Sequence, residues 1–286
     1  MNGNVISFAV FFSILLIITF SLIPFYSSQN SQTALYVNTD NYAGITVYNN
    51  GLNPQFISAS ADFQIPHISL PSDYNSNNSY YVNFWIGLTN YNDVNTVDSA
   101  LSKSYILQAG IQYQYSLLNN GSWITSLWYE IFPLNEIAVT SIISNSTMGN
   151  IFNIDVSIIN PSEVYFSITD LNNSSSSFYN WNGTVSYSLP NQPNGIIQSP
   201  EVMYVMETPE VNGSIAYLPQ ITQTFISNAY VSEYGITQVY NIAYFINHEK
   251  YNLYNMYKNN NLTINSFIES LNPLIIELNP VSNSTT

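Results

Sequence analysis

The stretch from Tyr105 to Pro133, YILQAGIQYQYSLLNNGSWITSLWYEIFP, constrains the fold more than any other part of the chain. Its first half alternates Leu107, Ala109, Ile111, Tyr113 and Tyr115 with Gln108, Gly110, Gln112 and Gln114. A period of two sends neighbouring side chains to opposite faces, so this is a strand with one apolar and one polar face. Gln108 therefore faces away from the core. After a loop carrying Asn119-Asn120-Gly121, a second strand puts Trp128, Glu130 and Phe132 on one face, and Tyr129 and Ile131 on the other. A carboxylate between two large aromatics is seldom found unless it is paired, hydrogen-bonded or functional, because desolvation disfavours the ionised form.

From Ala34 onward the pattern repeats as short runs rich in Tyr, Ile, Val and Phe, separated by Asn, Ser, Gly and Pro. Residues 43–48, 56–65, 81–89, 151–159, 164–168, 184–189, 201–206, 220–228, 238–245 and 274–278 read as further strands. Nothing reads as a long amphipathic helix. An all-β sandwich or barrel follows. No composition break divides the 286 residues, so 34–280 is read as one domain, with 281–286 as a disordered tail. Asn172 to Asn182, with four consecutive serines, reads as an exposed loop insertion. Val5 to Phe25 is an uncharged apolar run of about the ~20 residues that a membrane span needs. Residues 1–33 are therefore a signal peptide or an N-terminal anchor with a short tether, and the remainder is exported. Sequons at Asn77, Asn120, Asn145, Asn172, Asn173, Asn182, Asn212, Asn261 and Asn283 fit an exported chain.

Charge narrows the function classes. Only 7% of residues are charged, against a typical ~25%. There is no arginine, and Lys103, Lys250 and Lys258 face 17 acidic residues for a formal charge of -14. Nucleic acid is excluded as a partner, since phosphate binding needs clustered bases. Zero cysteines excludes disulfides, thiol catalysis and Cys-ligated zinc. His67 and His248 are too few and too far apart for a histidine metal site or a triad, so neither a metal nor a cofactor is expected. Asp93 to Asp98 hints at a calcium loop but lacks the glycine and terminal glutamate of that pattern. In acid most carboxylates are neutral while lysine and arginine stay charged, so an ordinary protein becomes a self-repelling cation. This chain would be close to neutral there, as suits an acidic exterior.

Several segments, taken in order, resemble the glutamic peptidases, the eqolisin family. They are Asn41-Tyr42-Ala43-Gly44, a strand ending at Pro66, Trp85-Ile86-Gly87-Leu88-Thr89, Ile106-Leu107-Gln108-Ala109-Gly110, Leu127-Trp128-Tyr129-Glu130-Ile131-Phe132-Pro133, and Met203-Tyr204-Val205-Met206-Glu207. The resemblance implies a sandwich of two bent antiparallel sheets, jelly-roll-like, whose concave face carries a Gln and Glu dyad. Gln108 takes the Gln position. Glu207 takes the Glu position, with Glu201 as the alternative, and Trp85, Trp128, Glu130 and Glu210 line the cleft. Thr89, Gln112 and Ser126 stand where the family usually has Asp, Met203 where it has an earlier Glu, and Tyr204 where it has Trp.

The implied activity is hydrolysis of peptide bonds in extracellular protein, strongest in acid. A glutamate can take the proton of an attacking water and pass it to the leaving amine. A glutamine amide can orient that water and donate to the oxyanion. Two other readings fit a β-sandwich with an aromatic cleft: a glycosidase using Glu130 and Glu207, and a non-catalytic, glycan-binding surface-layer sandwich.

Overall fold

The computed structural model describes residues 36–281 apart from 50–54, 91–103, 118–120, 144–146, 177–178, 190–191, 193, 212, 249 and 259–260. The leader or anchor, the Asp93 to Asp98 run and the 282–286 part of the tail lie outside the described residues. The strands are β1 (Tyr36–Thr39), β2 (Tyr42–Tyr48), β3 (Phe56–Gln64), β4 (Ile68–Ser69), β5 (Tyr81–Thr89), β6 (Ile106–Ser116), β7 (Ser122–Phe132), β8 (Ile137–Ile143), β9 (Ile151–Asn160) and β10 (Glu163–Asp170). They continue with β11 (Asn180–Ser186), β12 (Glu201–Glu207), β13 (Glu210–Val211), β14 (Ser214–Ile215), β15 (Gln220–Ile221), β16 (Thr224–Glu233), β17 (Val239–Asn241), β18 (Tyr251–Lys258), β19 (Asn261–Leu271) and β20 (Leu274–Pro280). Among the described residues a five-residue helix, α1 (Ala243–Asn247), interrupts them.

Sixteen strands share one hydrogen-bonded ladder whose path runs β11-β10-β9-β3-β16-β20-β19-β18-β2-β12-β5-β6-β7-β8. Its pairs are antiparallel except β1 against β18. The ladder doubles back, so that β3, β9 and β10 pack across from β5, β6 and β12, and the result is the all-β sandwich expected. Between the layers lies the core. Ala43, Ile45 and Val47 of β2, Val202, Tyr204 and Met206 of β12, Phe84, Ile86 and Leu88 of β5, and Leu107, Ala109 and Ile111 of β6 all point into it and are fully buried. The opposite wall is Ala59, Ala61 and Phe63 of β3 with Phe152, Ile154 and Val156 of β9. Phe63 meets Phe84 edge-on across the layers at 6.4 Å, and Tyr129 stacks on Phe166 at 5.2 Å. Each of the larger aliphatic and phenylalanine side chains contributes about 1.5–3 kcal/mol on burial, which makes this face the source of stability.

The boundaries depart from the sequence reading where Asn is dense. Asn180 to Asn182 belong to β11, paired with β10, not to a loop. Residues 238–245 are not one strand but β17 followed by α1, whose Phe245 and Ile246 are buried. The strands β1, β4, β8, β13, β14, β18 and β19 had no counterpart among the expected runs. No helix among the described residues is long and apolar enough to cross a membrane.

Gly44 lets β2 lie against β12. Its φ is +147°, and a Cβ there would sit 2.1 Å from the Tyr204 carbonyl oxygen. Gly44→Ala is therefore expected to destabilise the fold by at least about 1–3 kcal/mol through overpacking. Urea unfolding should show the midpoint fall with an unchanged slope.

Candidate active site

Register fixes which side chains share the second face of the sheet. Gly44, Val205, Trp85, Gly110 and Trp128 form one row across β2, β12, β5, β6 and β7. Met203, Gly87, Gln108 and Glu130 form the next-but-one row on the same face. On the other side of the tryptophan row stand Tyr42, Glu207, Asn83, Gln112 and Ser126. All of these alternate with core residues, so the parity read from the sequence puts Trp85, Gln108, Trp128, Glu130 and Glu207 on one face.

The floor is a small apolar cluster of Trp85, Trp128, Met203 and Val205, separate from the main core. Two glycines make room for the indoles. A Cβ at Gly110 would lie 2.7 Å from Trp85 Cβ and 2.9 Å from Trp128 Cζ2, and one at Gly87 would lie 3.0 Å from Trp85 Cζ3. Any larger residue would lift the tryptophans off the sheet.

Two polar groups flank Trp85 along a diagonal. On one side Trp85 Nε1 donates to Glu207 Oε2 at 2.7 Å, and Asn41 Nδ2 donates to Glu207 Oε1 at 3.1 Å. On the other, Gln108 Nε2 donates to Glu130 Oε2. Gln108 Oε1 has no partner, although the residue is only 7% exposed. It has company: Tyr42 OH, Thr46 Oγ1, Asn83 Oδ1, Trp128 Nε1 and Asn252 Oδ1 are also buried without partners. Thr46 is the register partner of Asn252, and both share the Gly44 parity, so all of these sit on the second face. Buried polar groups are normally satisfied. A face paved with orphan donors and acceptors is built to receive water or a ligand with backbone-like polarity.

The carboxyls of the face repel one another. Burial lifts the Glu207 pKa to about 7, its hydrogen bond from Trp85 opposes this, and Glu130 and then Glu136 raise it further. Burial also raises Glu130, with the Gln108 amide pulling the other way. Glu136 rises to about 6 through its surroundings and then the Glu130 charge. That residue is exposed, so its share is the most screened by water.

Of the remaining expected site residues, Glu201 faces the same way as Glu207 but lies at the far end of β12, against Thr89 and Tyr48, about 20 Å away at a strand's rise per residue. Glu210 sits exposed on the separate β13–β14 hairpin. Thr89 directs its hydroxyl to the Tyr105 carbonyl, and Ser126 shares a hydrogen bond with Ser141. Asn41 went unassigned in the sequence reading although it stands in a quoted motif, because its partner is 166 residues away.

The Peptidase A4 family model matches residues 40–265. No curated protein sequence matches the chain. Among solved structures, scytalido-glutamic peptidase with a transition state analogue inhibitor superposes at a TM-score of 0.58 and 15% identity, covering 85% of this chain and 98% of that one. The eqolisin SCP-B in complex with the tripeptide Ala-Ile-His gives 0.53 and 15% over the same shares. Aspergilloglutamic peptidase from Aspergillus niger gives 0.50 and 14%, covering 71% and 99%. At these identities the likeness shows the fold.

Two expected outcomes test the electrostatics. Trp85→Phe removes a donor to the Glu207 carboxylate and should raise its titration midpoint, whereas Glu136→Gln removes a repelling charge and should lower it. Carbon-13 NMR of the glutamate carboxyls reads both; shifts in the same direction would contradict the network. Stability carries the same sign. Glu207 holds its proton more tightly folded than unfolded, so its contribution is complete below about 4.5 and is lost as pH rises through about 7. The melting temperature should therefore rise from pH 7.5 to 4.5, and less so in Glu207→Gln.

Proposed function

The chain belongs to the peptidase A4 family, and on that premise we propose that it is a glutamic endopeptidase with Glu207 as general base and Gln108 as the water-orienting, oxyanion-stabilising donor. The observation that carries the assignment is the flanking of Trp85 by these two residues, one held by indole and carboxamide donors, the other with an open carbonyl oxygen. In the proposed reaction Glu207 removes a proton from water as the water oxygen bonds to the scissile carbonyl carbon. The second N–H of Gln108, not used by Glu130, donates to the carbonyl oxygen as it becomes negative. Collapse of the tetrahedral species breaks the C–N bond, and Glu207 returns the proton to the leaving amine. No covalent intermediate forms.

Glu130 acts through Gln108. By accepting from Nε2 it sets which end of the amide faces the cleft. Trp85 and Trp128 supply the floor, and Glu210 borders the cleft from the hairpin. The substrate is a peptide chain in exported protein. Transition state analogues and a tripeptide occupy the related structures, and the orphan groups here suit an extended backbone. Residues 1–33 serve as leader or anchor, and the near absence of bases suits acid surroundings. A base at about 7 in the free enzyme puts the acid limb of kcat/KM on the mild side of acidity. Family membership favours this reading over a glycosidase or a glycan-binding sandwich.

Casein digestion across acid pH with pepstatin present is the direct test. Glu207→Gln should cut turnover by at least the ~10²–10⁴ ascribed to a general base. Gln108→Ala should cost the ~10²–10³ of a lost oxyanion donor. Glu201→Gln should be mild; if it alone abolishes hydrolysis, the base is Glu201, and if none of the three matters the peptidase reading is wrong.

A further inference from the structure

Glu207 ends β12 between two strands, and register gives it one neighbour on each, Tyr42 of β2 and Asn83 of β5. Side chains directly opposite in an antiparallel pair have Cβ atoms about 4.5–5.5 Å apart. Asn83 stands on the same face as Trp85, whose indole holds Glu207 Oε2. It is 2% exposed, and its Oδ1 is buried without a partner. Gln112 of β6, its register neighbour on the other side, does not satisfy that oxygen. Native proteins seldom leave a buried acceptor in this condition.

The needs of Glu207 change with its proton. Ionised, it is an acceptor only, and both oxygens are served, Oε2 by Trp85 and Oε1 by Asn41. Neutral, it gains an O–H that must be given to an acceptor, and neither the indole N–H nor the Asn41 Nδ2 can receive it. The missing acceptor of Glu207 and the missing donor of Asn83 thus lie across one register pair. Tyr42 OH is also buried without a partner, and its ring packs against Tyr254 at 5.1 Å. The strands β2, β5 and β6 carry no charged side chain. The charges that bear on Glu207 are those of Glu130 and Glu136, while Asp40 and Glu210 are exposed. Burial puts the midpoint of Glu207 at about 7, so the neutral form prevails across the acid range.

We propose that Asn83 is a positioning residue whose Oδ1 accepts the O–H of Glu207 whenever that carboxyl is neutral. The catalytic meaning of the pair rests on Glu207 being the general base. In that role the carboxyl takes a proton from the attacking water and keeps it until the C–N bond breaks. Asn83 gives the proton one fixed place in the interval, and the leaving amine, a stronger acceptor, then draws it away.

Carbon-13 NMR of the side-chain carboxyls and carboxamides, followed through the Glu207 titration in the whole protein, tests the pair without turnover. The Asn83 Cγ resonance should move downfield as pH falls, with the midpoint of Glu207, because its oxygen gains a hydrogen bond. Asn83→Asp sets a second carboxyl opposite the first and should raise the Glu207 midpoint. Asn83→Leu keeps the size but removes an acceptor that favours the neutral form. The midpoint should then fall by about half to one pH unit, the worth of one net hydrogen bond, and the acid limb of kcat/KM should move down with it. A carboxamide turned the other way, with Nδ2 donating to the carboxylate, would make the midpoint rise in Asn83→Leu, and that result overturns the proposal. So does an Asn83 resonance that is blind to the Glu207 titration, or a fall in Tyr42→Phe in place of Asn83→Leu. If the resonances behave as expected but no peptide is cut at any pH, the catalytic reading fails and the hydrogen bond stands.

Discussion

The interaction on which the rest of the structure depends is the carboxyl group held by a neutral carboxamide. Glu207 is bonded by Asn41, Glu130 by Gln108, Asp62 by Asn153 and Asn228, Asp170 by Asn150, Glu233 by Asn49 and Glu277 by Gln223. Several of these pairs tie strands far apart in sequence, so they stitch the ladder as well as satisfy buried oxygens. In a chain with no arginine the amide does the work that a guanidinium does elsewhere. The difference shows when the carboxyl takes a proton. A salt bridge then leaves a cation buried without its partner. A carboxamide keeps both of its functions, for its N–H can still donate and its C=O can accept the new O–H. Burial is the first cause of the upward shifts of Glu130, Asp155, Glu207, Glu233 and Glu277, and the hydrogen bonds that these groups accept oppose it without reversing it.

A single layer of strands serves both purposes because its two faces are kept chemically distinct. One face packs aliphatic and aromatic side chains to full burial. The other buries its tryptophans against glycines and leaves amides, hydroxyls and an indole N–H unpartnered. Orphan groups of this kind cost about 1–3 kcal/mol each when nothing satisfies them. Water or a polar ligand on that face removes the cost.

Much of this was legible in the chain itself. Tyr81 to Thr89 matches its strand residue for residue, and the alternation in 106–116 and 122–132 gave the correct face for Gln108, Trp128 and Glu130. Two of the strands that escaped, β18 and β19, did so for one physical reason. Asn ordinarily marks turns, because its side chain competes for the backbone and tolerates left-handed geometry. Here it is so common that it also fills positions inside strands, as in YNLYNMYK of β18, where Asn255 is buried, and NLTINSFIESL of β19. The helix α1 was hidden differently: IAYF has β-branched and aromatic character, and tertiary burial of Phe245 and Ile246 overrides it. Pairings across more than a hundred residues, such as Asn41 with Glu207, leave no trace in local periodicity at all.

The three carboxyls near Gln108 are best treated as one titrating unit. Glu207 titrates at about 7, above Glu136 at about 6, so of these two it is the first to take a proton as pH falls. Its donors, Trp85 and Asn41, stay aimed at its oxygens through that change. The charges of Glu130 and Glu136 both raise its midpoint, so removal of either would keep Glu207 ionised further into acid. Glu130 also accepts from the Gln108 amide, so the two members of the proposed dyad are linked through one carboxyl. All three are carboxyls in a protein that has almost no cations to bind them, and neutral donors take that place.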